Sequence, residues 1–448
     1  MILEKLRKPI PLAIVLLAAA GCSRQDNSPA KPQAESKAPS ATSACLAEAS
    51  WIQSPSQPDF QADPASVCAF HQYAWRSFLF LTSPSPVGDL IFETFPSIDD
   101  VFGRKASSAA KTLVSANTKR LRSFVPRVNK PARVEPFAGD QQAGSEGVLV
   151  SQTNDVTYYE QLLDPTGVGF VKSCDLTVFD CQKQPAAANL RLPAGAIEVK
   201  ASWVPMSKSH PNANLFYKIK GFQVQRPDGS TYVPDFMALT GFHLVFATKG
   251  HPELIWATFE HVANAPDGPC VAGTAPPAPF QGWTFNNVKD TDCTNINQFV
   301  KGAVPGSKPP PPVNQVVRVT PFGGGDAENV AAIQSLNASV LAQLGADSVW
   351  RNYFLVGSLW TKNGQLPPAA ANEAGSLMLA NATMETFRQD KNCFDCHTNA
   401  TASGPAAPPF LVSHAFPFQG SAKPSCAYTS TLPKACAATQ PAPAPPAK

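Results

Sequence analysis

Ile197-Glu198-Val199-Lys200-Ala201-Ser202-Trp203-Val204 alternates apolar and polar side chains along most of its length. In a strand, a period of two puts Glu198, Lys200 and Ser202 on one face and Val199, Ala201 and Trp203 on the other. A helix would scatter the same residues around its circumference, so the stretch predicts a β-strand. Its surroundings repeat the signal. Val148–Val150, Val156–Tyr159, Phe216–Val224, His243–Thr248 and Leu254–Val262 read as further strands, broken by turns at Pro227-Asp228-Gly229 and Gly250-His251-Pro252.

Helical signals flank this β-rich part. Phe70, Trp75, Phe78 and Leu79 recur at helical spacing within Val67–Leu81, and Ser83-Pro84-Ser85-Pro86 stops the element. Residues 265–325 are loop-like, with Pro309–Pro312 and Gly323-Gly324-Gly325. Asp326 then N-caps a helix carrying Ile333, Leu336, Val340, Leu341 and Leu344, and Gly345 ends it. Ser348 to Trp360 reads as a second helical or mixed element, and Ala374 to about Arg388 as a third helix. With 45 Pro in 448 residues, long ordered loops are expected rather than a helical bundle. The expected class is α+β: a β-rich core, as antiparallel sheet or sandwich, followed by a helical C-terminal segment. The boundaries are an N-terminal helix and β-rich core over 61–325, a helical segment over 326–436 and a Pro/Ala tail over 437–448.

The N-terminus reads as an export signal. Lys5, Arg7 and Lys8 precede a short apolar run, Pro9 to Ala20, and Leu17-Ala18-Ala19-Ala20-Gly21-Cys22 has the form of a lipobox. It resembles bacterial lipoprotein signals. That resemblance implies removal of residues 1–21, lipidation of Cys22, a flexible tether over 22–60 and a membrane partner reached through the lipid. Ser23 fits outer-membrane sorting in a Gram-negative envelope. The net charge of +3 gives no basic surplus for nucleic acid.

Near the C-terminus, Cys393-Phe394-Asp395-Cys396-His397 is a C-x-x-C-H run. In an exported chain this spacing is the attachment site of one covalent haem c: the thiols bond the vinyl groups, and the adjacent His ligates the iron. The alternatives are a zinc or redox C-x-x-C. No second C-x-x-C completes a zinc site. Apart from Cys22 and the motif, the other cysteines are even in number and form four local couples: Cys45–Cys68, Cys174–Cys181, Cys270–Cys293 and Cys426–Cys436. Sequential pairing is the expectation in an oxidising compartment. The sixth iron ligand is expected from His414, with Met378 and Met384 as rivals six apart on one helix. Core packing is the alternative for each Met, and a surface or capping role for the His.

A second candidate is polar and lies in the strands. If Ile197–Val204, His243–Thr248 and Leu254–Val262 are neighbours, Glu198, Lys200, His243 and either Glu260 or His261 gather on the sheet. Such a group can handle protons beside a haem or pair its propionates; the alternative is a satisfied structural network. His71 reads as structural. No H-E-x-x-H, G-x-S-x-G, P-loop or dinucleotide fingerprint is present.

Tyr73-Ala74-Trp75-Arg76-Ser77-Phe78, Glu198 to Trp203, Ile255 to Val262, Trp350-Arg351-Asn352-Tyr353 and Leu379 to Phe387, taken with the C-x-x-C-H run, resemble a family of exported bacterial mono-haem cytochrome c-type proteins. The resemblance runs from about Val67 to His414 and brings no reaction with it. The expected role is electron transfer with a redox partner in the envelope. A haem peroxidase or oxygenase with its pocket in the β-rich region is the alternative, and a haem sensor or binding module a further one.

Overall fold

The computed structural model describes residues 44–102, 147–182, 184–187, 190–220, 222–269, 273–366, 368–397, 426–427 and 430–438. The alternating stretch becomes β2 (Ile197–Met206) of an antiparallel sheet. The other strands are β1 (Tyr158–Leu163), β3 (Lys218–Ile219), β6 (Phe236–Thr248), β7 (His251–His261), β8 (Tyr353–Thr361) and β9 (Glu373–Gly375). The order is β1-β2-β6-β7-β8-β9, with β3 also on β6, and every pairing is antiparallel. β4 (Val224–Gln225) and β5 (Thr231–Tyr232) form a separate hairpin. The fold is α+β with a β-rich core, as expected. Helices α1 (Ala49–Gln53), α2 (Val67–Leu81), α3 (Ile98–Val101), α4 (Pro165–Ser173), α5 (Phe179–Gln182), α6 (Ala327–Gln343), α7 (Cys393–His397) and α8 (Lys434–Ala437) complete the described elements.

One face of the sheet is covered by α2 and α6. Ser66 accepts from the Ala69 amide and Asp326 from the Asn329 amide, so each helix begins at a side-chain cap. Trp75 donates its indole N–H to Asn337 Oδ1 at 2.8 Å, tying the helices together. Phe78 stacks on Phe259 at 4.2 Å, and Val199, Ala201, Phe242, Leu244 and Ala257 complete this layer. The opposite face carries Glu198, Lys200, His243, Trp256 and Thr258, placed together by the register.

Three sequence expectations change. Tyr353–Thr361 is a central strand, preceded by one 3-10 turn at Val349–Asn352, because its residues are buried on both faces and lose the alternating signal. Residues 374–388 are not a helix: β9 ends at Gly375, and only Thr386–Arg388 forms a 3-10 turn. Met378 and Met384 therefore share no helix. The segment after residue 326 is mixed rather than helical, since β8 and β9 extend the sheet begun by β1.

The cysteine pairing also changes. Cys45–Cys68 forms as expected, but Cys174 bonds Cys436 and Cys181 bonds Cys426. Cys174 closes the C-terminal end of α4 while Cys181 lies within α5, and both face the C-terminal segment rather than each other. Cys293 is disulfide-bonded too, and Cys270, its expected partner, lies outside the described residues. Cys22 and His414 also lie outside them. Among the described residues, no helix is long and apolar enough to cross a membrane.

Candidate functional site

The C-x-x-C-H run occupies α7, and its start is fixed locally. Asn392 Oδ1 accepts from the Asp395 amide at 3.0 Å, and Asp395 Oδ2 accepts from the Asn392 amide at 2.9 Å. This reciprocal pair is a capping box. Asn392 also donates to Glu373 Oε2 and the Leu377 carbonyl, so the cap is anchored to β9 and the loop beyond it. On one helical turn, Cys393 and Cys396 share a face. They are the two free cysteines among the described residues.

Residues 381–385 form a strap that holds the motif to the sheet. Asn381 donates to Thr258 Oγ1 at 2.8 Å and to the Phe259 carbonyl. The Ala382 amide donates to Glu260 Oε1 at 2.7 Å. Thr383 Oγ1 lies 2.7 Å from Ser202 Oγ, and Tyr159 donates to the Thr383 carbonyl. Glu385 Oε1 meets His243 Nε2 at 2.9 Å. Gly241 makes this approach possible: a Cβ there would lie 2.6 Å from Thr383 Oγ1 and 2.8 Å from Ser202 Oγ. Past the strap, Phe394 packs with Val245, Trp256, Leu359 and Leu379, and the His397 ring sits 4.2 Å from Trp256.

Of the polar residues expected to gather, Glu198, Lys200 and His243 do so, beside Cys393. Glu385 joins them. Burial works to raise the Glu385 carboxyl, but His243 and Lys200 outweigh it and hold it below the ordinary range. Burial lowers Lys200, opposed by Glu385, Glu198 and Cys393. Burial lifts Glu198 to about 8, only partly opposed by Lys200. The Cys393 thiol is raised well above its ordinary value by burial, then by Glu385 and Cys396; Cys396 is raised by burial and Glu385.

Glu260 and His261 leave this group. Glu260 pairs with buried Arg318, Oε2 to Nη2 at 2.7 Å. His261 lies between the Leu215 carbonyl and the Ala263 amide, stacked 3.6 Å from Phe216, and burial lowers it to about 3. Both are structural. His71 is structural as well, buried against Asn329. Met384 is buried within the strap, whereas Met378 is exposed beside Gly324.

Reading the sequence missed Glu385, the Asn392/Asp395 box and Trp256. The box carried a signal, Asn-x-x-Asp immediately ahead of C-x-x-C-H. Glu385 carried a weaker one, the alternating polar residues Asn381, Thr383 and Glu385 amid small apolar neighbours.

Chemically, protonated thiols are poor nucleophiles and poor metal ligands, because thiolate is the reactive form in both roles. Catalytic dithiols depress a thiol by cationic or helix-terminal surroundings; here Lys200 and the start of α7 lie by Cys393, but burial and the Glu385 carboxylate outweigh them. Among the described residues, no group of three or more His, Cys, Asp or Glu is placed to hold a metal ion. Two thiols on one turn with an adjacent imidazole are the donor set that covalent haem c requires, so the residues fit that group. No family model, curated protein or solved structure matches the chain.

Proposed function

We propose that the chain is a membrane-tethered c-type cytochrome of the bacterial envelope, with one covalent haem c at Cys393, Cys396 and His397, acting in electron transfer. The observation that carries the reading is the free thiol pair on one helical turn, in a chain whose other described cysteines are disulfide-bonded. When bound, the haem supplies a one-electron iron couple. Cys393 and Cys396 hold it covalently, and His397 ligates it. The capping box and the strap fix the direction of α7, while Trp256 backs the His397 ring. A motif pinned at several points suits electron transfer, since little around the iron has to rearrange.

Expression of the full chain in an exporting host with a haem c attachment system tests this. The purified protein should gain the mass of one haem that survives acidic organic extraction, and Cys393→Ser with Cys396→Ser should lose it. A wild-type mass without haem refutes the reading. A six-coordinate low-spin spectrum indifferent to peroxide and cyanide is expected. High-spin, cyanide-binding iron would transfer the assignment to a peroxidase or oxygenase, with the cluster around Lys200 as its polar wall. His414→Ala tests the sixth ligand in the same spectrum.

A further inference from the structure

We infer that Glu198 takes up a proton when the haem iron is reduced, coupling electron transfer at the motif to proton uptake on the sheet. This rests on the haem reading above and assigns its proton site. Leu163, Glu198, Val245 and Trp256 stand opposite one another in successive strands, and the Trp256 ring lies 4.2 Å from His397. Two strand spacings put the Glu198 backbone roughly 10 Å from that of Trp256. A unit change of charge at an iron held by His397, on the same side of the sheet as Glu198, would reach that carboxyl through a medium screened less than water.

The groups around Glu198 single it out. From its own strand, Lys200 faces it; from β6 come His243 and uncharged Val245, and from β1 Leu163. Asp164, just beyond β1, has its carboxylate oxygens on the Ile197, Thr166 and Gly167 amides. From the strap, Glu385 takes His243 and shares Lys200. One ammonium thus stands between two carboxyls, and the one with the additional His partner is the one held ionised. Glu198 is the remaining carboxyl, 9% exposed, so it is nearly enclosed yet touches solvent. The balance is one electron from a one-electron donor and one proton from water: ferric iron and carboxylate become ferrous iron and carboxylic acid. The ferric centre carries one more positive charge and favours the carboxylate; reduction removes that charge and favours the acid.

Spectroelectrochemical titration of the full haem-bearing chain, with soluble mediators from roughly pH 5 to roughly pH 9, tests this. The midpoint potential should fall with rising pH by up to about 59 mV per pH unit, the tenfold change in proton activity converted for one electron. It should level off above about pH 8. Glu198→Gln should flatten that slope, and a redox difference infrared spectrum of the wild type should gain a carboxylic acid C=O band on reduction that the variant lacks. A haem-bearing wild type with a flat potential, or one with no such band, overturns the inference and leaves the haem reading standing. A slope that survives Glu198→Gln but vanishes in His243→Gln overturns it too. A chain that binds no haem fails the earlier reading instead.

Discussion

Replacing Arg318 with Met should be the most informative single change for stability. Arg318 and Glu260 side chains are 4% and 0% exposed, with Nη2 and Nε at 2.7 and 3.1 Å from Glu260 Oε2. Met keeps most of the apolar stem and loses the guanidinium, which lies over Phe354 at 4.8 Å. It leaves the Glu260 carboxylate without its cation in a site closed to water. Breaking a buried pair from one side costs about 3–5 kcal/mol, mostly through the stranded charge. Asp267 contributes little, being half exposed and free to hydrate. Urea denaturation at constant m-value should show the full deficit at neutral pH. Glu260→Gln keeps an acceptor for the Ala382 amide and removes the charge, so the double variant should recover at least about 2 kcal/mol relative to additivity. A single-variant cost below about 1 kcal/mol, or strict additivity, would refute the stranded-charge argument.

Two further outcomes follow from burial and connectivity. His71 is fully buried against Asn329, and burial lowers it from 6.5 to about 4. The unfolded chain therefore binds a proton that the folded one refuses, and stability falls as pH drops from 6.5 toward 4, by up to ~1.4 kcal/mol per pH unit. His71→Gln should flatten that limb of a stability–pH series; an unchanged limb would count against it. Non-reducing peptide mapping should recover the Cys174–Cys436 and Cys181–Cys426 links, and removing the first pair should cost roughly 2–5 kcal/mol. A Cys174–Cys181 peptide would contradict the connectivity.

The strands most legible in the sequence are those with a polar side facing the strap. β2 alternates because Glu198 and Lys200 border a polar cluster while Val199 and Ala201 meet the helices. β8 did not alternate, since Leu355, Val356, Ser358 and Leu359 are all enclosed. Residues 374–388 illustrate the reverse error. Ala, Leu and Met favour a helix locally, but Glu260 takes the Ala382 amide and the Ser358 carbonyl takes the Ser376 amide. Tertiary partners then set the backbone, which propensity cannot foresee. The polar cluster was half legible: cross-strand neighbours follow from period and pairing, whereas Glu385 arrives from a distant segment. Cysteine pairing was read from nearness in sequence, and the two long-range bonds obey nearness in space.

Those two bonds impose an order on the maturation of the chain. Cys174 and Cys181 emerge 262 and 245 residues ahead of their partners, so at first each has the other as an easy and incorrect mate. Cys270 and Cys293 emerge next, then Cys393 and Cys396, still before Cys426 and Cys436. If the chain takes the proposed haem c, thioether formation at Cys393 and Cys396 would withdraw two competing thiols from the pool before the last two arrive. On the proposed haem c reading, the yield of native protein would become a contest of timing between haem attachment and oxidation, because the long-range bonds form last.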